Sequence, residues 1–181
     1  MKKSFAIAAL TIGAIVLGTN TVQAQDKTTA TTTATISLSD VISIDAGSEA
    51  INGKVAFDYA TADAYNKDQT VTQTDALKVT STKNFTVNVQ AEGANFMNGT
   101  NIIPVNVLTI KAAAGGTMAG TQKTVVLSTT NQPLIVDAPL GSARTLNLEY
   151  TIPAAKSSSP DILGKPAGTY TQTVIYTASA L

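Results

Sequence analysis

The sequence predicts an all-β chain folded as a two-sheet antiparallel sandwich, on three observations. Thr is very abundant, Val and Ile are frequent, and charged residues make up only 13% of the chain, a composition that suits half-buried strands. Apolar and polar residues alternate with period two in many short runs, so each run turns one face to a core and one to water. No βαβ unit of about 30 residues occurs and no amphipathic helix is evident, which argues against a parallel sheet.

The N-terminus sets the expected compartment. Lys2 and Lys3 precede the apolar run "FAIAALTIGAIVLG" (Phe5–Gly18), and "TNTVQAQ" follows with Val22 and Ala24 at small-residue positions. This is the pattern of a secretory signal peptide, Met1–Ala24, cleaved after Ala24. The run is shorter than the roughly 20 residues that cross a bilayer. Without Cys there is no residue for lipid attachment. Cleavage removes two of the 12 basic residues and none of the 12 acids, leaving a slightly negative chain with no basic field for nucleic acid or anionic lipid. Gln25–Thr33 then reads as a flexible leader, and Ala34–Leu181 as a single β-sandwich domain held by packing and backbone pairing, without disulfides.

The strands follow in order. Ala34–Ile44 alternates, with Ala34, Ile36, Leu38, Ile42 and Ile44 on one parity. Asp40 shares that parity, so a bulge or strand break is expected there, with a bulge turning Val41 inward. Lys54–Tyr59 places Val55, Phe57 and Tyr59 on one face. Ala76–Thr80 and Asn84–Gln90 flank the turn-like "STK". Pro104–Ala112 is next, then the loop Gly115–Gly120. Gln122–Ser128, Leu134–Val136, Arg144–Ile152 and Thr169–Ala180 complete the set, with Pro153–Gly168 as the longest loop. About nine strands at this spacing suit an immunoglobulin-like sandwich, with an up-and-down barrel as the second architecture. Most runs are shorter than the roughly ten residues of a membrane-barrel strand, and five Tyr, four Phe and no Trp are too few for aromatic girdles.

Missing residue types remove chemistry. With no His and no Cys, a Ser-His-Asp triad, a Cys-His pair and a His- or Cys-ligated zinc site are all excluded. Carboxylate pairs, Ser-Lys chemistry and oxygen-ligated calcium stay open. Asp58, Asp63, Asp68 and Asp75 cluster in "DYATADAYNKDQTVTQTD", but the spacing lacks the Gly and closing Glu of a calcium loop; a solvated polar loop is the expectation. "AAKSSSPD" puts Ser beside Lys in a polar, Pro-bounded stretch expected to be exposed rather than a desolvated pocket. "NFT" (Asn84–Thr86) and "NGT" (Asn98–Thr100) match the glycosylation acceptor pattern and read as chance matches.

The terminal strands stand apart because a partner can reach them. A leader followed by alternating side chains is what strand donation to a neighbour's sheet requires. Ala34–Ile44 meets that requirement, and so, more weakly, does Thr28–Ile36. The simpler expectation is that Ala34–Ile44 is the sandwich's own first strand.

The closing stretch "AGTYTQTVIYTASA" (Ala167–Ala180) resembles the last strand of bacterial secreted sandwich subunits of the spore coat protein U-like and chaperone–usher pilin-like type. Gly168, Thr169, Tyr170, Thr171, Thr173, Val174 and Thr177 carry the match. "LNLEYTIPA" (Leu146–Ala154) is similar to their penultimate strand, and "ALKVTSTKNFTVNVQAEG" to their early hairpin. The resemblance implies an immunoglobulin-like sandwich exported to the periplasm and assembled at the cell surface. It implies contacts through strand exchange, with copies of the chain or related subunits as partners and a periplasmic chaperone beside them. Many such domains carry a disulfide near the start; this chain has no Cys.

The leading functional expectation is therefore a non-enzymatic, cofactor-free structural subunit, fimbria-like or coat-like. Ile36 and Leu38 are the expected strand anchors, and Val174 and Tyr176 the lining of the receiving or packing face. The alternative is a monomeric binding module for glycan or peptide, with Tyr59, Tyr65 and Phe96 on sandwich-end loops. A carboxylate hydrolase is the third expectation.

Overall fold

Period-two runs rich in β-branched residues form ladders wherever a partner edge is near. The structure is a computed structural model and describes residues 29–181. The expected signal peptide Met1–Ala24 and the start of the leader lie outside the described residues. The strands are β1 (Ile42–Ile44), β2 (Gln69–Ser81), β3 (Phe85–Ala91), β4 (Asn95–Asn98), β5 (Asn101–Pro104), β6 (Thr109–Ala113), β7 (Thr121–Gln122), β8 (Val125–Val126), β9 (Gln132–Ala138), β10 (Gly141–Ile152) and β11 (Val174–Ala180). Two helical turns, α1 (Ala62–Tyr65) and α2 (Ala154–Ser157), complete the elements.

The chain is all-β, and its ladders are antiparallel. One sheet has the order β1-β2-β10-β6-β8, a second the order β11-β3-β9-β7, and β4 with β5 makes a separate hairpin. Both larger sheets feed one apolar cluster in a sandwich-like arrangement. Leu77 and Val79 from β2, Ile110 from β6, and Leu146 and Leu148 from β10 meet Phe85, Val87 and Val89 from β3 and Leu134 and Ile135 from β9. Phe85, Val87, Val89 and Ala91 are buried while Thr86, Asn88 and Gln90 are half-buried, as their alternation requires. The β4–β5 hairpin turns on Gly99–Thr100, with Gly99 at φ 59; glycine takes this left-handed conformation without Cβ strain.

Several expected elements come out differently. Ala34–Ile44 is a strand only over Ile42–Ile44, and Ala34–Val41 lies outside the sheets. The break falls next to Asp40. Asp40 Oδ2 pairs with Lys83 Nζ at 2.6 Å, and Val41 exchanges bonds with Thr82, its N–H donating to Thr82 Oγ1 and its C=O accepting the Thr82 N–H. Val41 is half exposed and does not turn inward. Asp75, placed with the polar loop, lies within β2 instead, which begins at Gln69 with α1 before it. Pro104–Ala112 is split by a 3-10 turn at Val105–Val107. Gln122–Ser128 divides between sheets, β7 pairing with β9 and β8 with β6. Lys54–Tyr59 keeps its alternation, with Val55, Phe57 and Tyr59 half-buried against the core, but forms no ladder.

The β2–β10 register carries an irregularity that the core depends on. Leu146 opposes Leu77, but Leu148 opposes Gln73, so β2 holds extra residues around Asp75, which sits at φ 51. Buried Asn147 satisfies this bulge. Its Oδ1 accepts the Asp75 N–H at 2.8 Å, and its Nδ2 donates to the Ala114 carbonyl at 2.7 Å. On the other side of the bulge, the carbonyls of Asp75 and Ala76 accept the N–H groups of Glu49 and Ala50.

Candidate functional site

Two features stand out, an open sheet edge and an exposed apolar tail. The closing strand β11 forms because Val174, Ile175, Tyr176 and Thr177 favour an extended backbone and β3 offers a complementary edge. Val174 pairs with Ala91, Tyr176 with Val89 and Ala180 with Phe85. Beyond β11 there is no further strand in its sheet, so its outer N–H and C=O groups are unpaired among the described residues. Val174, Tyr176 and Ala178 pack inward against the core.

Tyr176 belongs to a hydroxyl chain that ties the two sheets together. Its O–H lies 2.7 Å from the Tyr150 hydroxyl on β10, and Tyr150 donates to Gln73 Oε1 on β2 at 3.3 Å. Because Tyr150 spends its proton on Gln73, Tyr176 is the donor between the two hydroxyls. Burial raises the pKa of both above the ordinary tyrosine value of 10.0, and that of Tyr176 well above it. The nearby Tyr150 and its hydrogen bond, which uses the Tyr176 proton, add to the shift at Tyr176.

The tail supplies the second feature. Ile36 is 85% exposed and Leu38 90% exposed, and Thr29–Val41 carries no strand or helix. These side chains do not fill this subunit's own core. The tail leaves the sheet at a defined point, because Asp40 is clamped to Lys83. That ion pair, as hydrogen bond and as charge, holds the Asp40 carboxyl below the usual carboxylate range.

The remaining candidates disperse. Tyr59 and Tyr65 come together with ring centroids 4.9 Å apart, tilted at 47°, while Phe96 stands on β4. All three are half-buried against the core rather than presented as a stacking platform. Asp63 pairs with Lys67 and Asp75 with Lys78, and Asp68 Oδ1 accepts the Ala154 N–H. Among the described residues no three acidic side chains gather where a cation would sit. Lys156 is engaged by Asp161 at 3.1 Å. Ser157 is not exposed as expected but fully buried, its hydroxyl 2.7 Å from that of Tyr59, so the Ser-Lys sequence forms no nucleophile–base pair. A shallow cleft of about 210 Å³, with Ala94, Pro104, Val105, Leu127 and Ser128 in its lining, carries no titratable group.

Sequence reasoning missed Gln73 and Lys83. Gln73 shares parity with Val71, so its inward position is readable from the alternation, but its polarity hides it. Lys83 carries no signal, since only the fold brings it to Asp40. No protein-family model matches the chain, and no curated protein matches it.

Proposed function

We propose that this chain is a non-enzymatic structural subunit of a bacterial cell surface. It is an immunoglobulin-like sandwich, exported by its N-terminal signal segment, that assembles by giving its tail to a sheet edge of the next copy. One observation carries the reading: an alternating apolar tail whose Ile36 and Leu38 are almost wholly exposed precedes a sheet whose last strand has an unpaired edge. Large apolar side chains at such exposure in a regular period-two pattern are a strand without its sheet. Main-chain bonds along the edge supply affinity, and the alternate side chains supply register. The inventory of residue types fits a structural role, since His and Cys are absent and the Ser, Lys and acidic side chains nearest each other are engaged in structural bonds.

The test is assembly of the chain from Gln25 onward, followed by size exclusion and negative-stain microscopy. Oligomers or fibres that survive mild denaturant are expected. The double substitution Ile36→Asp with Leu38→Asp abolishes them while shifting Tm by no more than about 1 °C, because surface side chains away from the core contribute little to stability. A wild-type chain that stays monomeric, or a double variant that assembles equally well, overturns the reading. A monomer that captures a glycan or peptide would return the case to a binding module.

A further inference from the structure

Strand β2 is thirteen residues long, but its outer edge is only half covered. β1 and the turn that follows it take the upper half, through the Ile42–Ile44 ladder and the bonds that Asp45, Glu49 and Ala50 donate to Lys78, Asp75 and Ala76. Over Gln69–Thr74 the side away from β10 has no backbone partner among the described residues. In an antiparallel strand alternate residues turn N–H and C=O to each side, so this is an open row of donors and acceptors.

Lys54–Ala60 is anchored near both ends of that row. It starts at Gly53, which is so close to the Glu49 carbonyl and to Gln73 Nε2 that no Cβ fits there. It ends at Tyr59, whose hydroxyl meets Ser157 of α2, near α1, whose Ala64 carbonyl accepts from Gln69 Nε2. The segment thus starts near Gln73 and ends against α1, the turn that also holds Gln69. Its side chains behave as a strand: Val55, Phe57 and Tyr59 lean on the core, and Lys54, Ala56, Asp58 and Ala60 face out. Its backbone does not: no N–H or C=O of Lys54–Ala60 bonds to any described residue. A strand position is held here by side chains alone.

The tail carries the same spacing. Ala34, Ile36 and Leu38 repeat at every second residue, as Val55, Phe57 and Tyr59 do, but they are exposed where the others are half-buried. The open row is also linked to β11, since Gln73 lies one hydrogen bond from Tyr150 and Tyr150 one from Tyr176.

We propose that Lys54–Ala60 is a placeholder strap, and that Ala34–Asp40 of a second copy displaces it and pairs with Gln69–Thr74 of β2. The inference rests on the assembly reading above and adds the receiving edge and the element that must yield. Displacement exchanges three larger apolar contacts for smaller ones plus a row of main-chain bonds the strap never makes. The strap keeps the position covered in the free subunit, where an open edge invites wrong pairing.

The strap competes with the incoming strand, so weakening it strengthens binding, the opposite of what a contact residue does. The experiment uses the chain with Ile36→Asp and Leu38→Asp, so that its own tail is silent, and a labelled peptide of Thr33–Val41 as probe. Adding Tyr59→Phe, which removes the hydroxyl bond to Ser157, is expected to tighten peptide binding about fivefold. Phe57→Ala is expected to tighten it more than tenfold. Residue-resolved amide exchange should show new protection over Gln69–Thr74. If protection appears only at Val174–Ala180 and both strap variants bind no tighter, the strap proposal falls while tail donation stands. If the peptide binds none of the variants, both fall.

Discussion

Replacing Asn147 with Ala is expected to lower stability by about 3 kcal/mol and Tm by about 10 °C, measured by urea and thermal unfolding. The side chain is 7% exposed and makes two bonds nothing else can replace, from the Asp75 N–H and to the Ala114 carbonyl. Truncation leaves a donor at the β2–β10 bulge and an acceptor just past β6 without partners, each costing about 1–3 kcal/mol. The bulge also sets which residues of β2 face the core, since Leu77 and Gln73 oppose Leu146 and Leu148 across it. Asn147→Asp is a sharper probe. Its carboxylate still accepts from Asp75 but faces the Ala114 carbonyl with no proton, so the variant regains stability on acidification, when the carboxyl becomes a donor. A loss below about 1 kcal/mol for Asn147→Ala would mean the bulge stands without this side chain.

The second large effect concerns the hydroxyl chain between the sheets. Tyr150→Phe takes away the acceptor for Tyr176 and the donor to Gln73 together, with an expected loss of about 2 kcal/mol near neutrality. The same chain predicts alkaline sensitivity. Both tyrosines have folded-state pKa values raised above the ordinary 10.0, chiefly by burial. Below about pH 10 they are protonated in folded and unfolded chains alike, and stability is unaffected. Above it the unfolded chain releases these protons while the fold retains them, so stability falls as pH rises toward the folded-state values. Tyr59 shifts the same way, through burial. Urea midpoints measured between pH 8 and 12 should fall steeply for the wild type and less steeply for Tyr176→Phe. Parallel curves would show that these tyrosines are not what alkali attacks.

Period-two alternation made faces legible but not partners. It located β3 closely, because Phe85, Val87 and Val89 are unambiguous, and it located the body of β10 through Leu146, Leu148, Tyr150 and Ile152. It missed Gln69–Thr74, because the inward position opposite Leu148 is a glutamine whose amide oxygen finds a tyrosine hydroxyl. The same signal failed in two opposite ways elsewhere. Val55, Phe57 and Tyr59 have the pattern and the burial but no ladder, while Ile36 and Leu38 have the pattern and neither. Alternation reports what a backbone conformation would bury, whereas pairing depends on whether an edge from elsewhere in the chain is within reach. That is also why Asp40 was readable as an interruption while Lys83, the side chain that clamps it, was not.

Between Gln122 and Val125 the chain crosses from one sheet to the other in two residues, Lys123 and Thr124, with the Lys123 N–H still held by the Leu134 carbonyl. On the far side the edge strands β1 and β11 belong to different sheets, and no comparably short link joins them. The same crossing is made at Pro139–Leu140 from β9 to β10 and at Thr82–Asn84 from β2 to β3, and the Tyr150–Tyr176 hydroxyl bond joins the sheets beside β11. The two sheets are therefore sewn at both margins, so a visiting strand would lengthen the rim of one sheet rather than slip between the two.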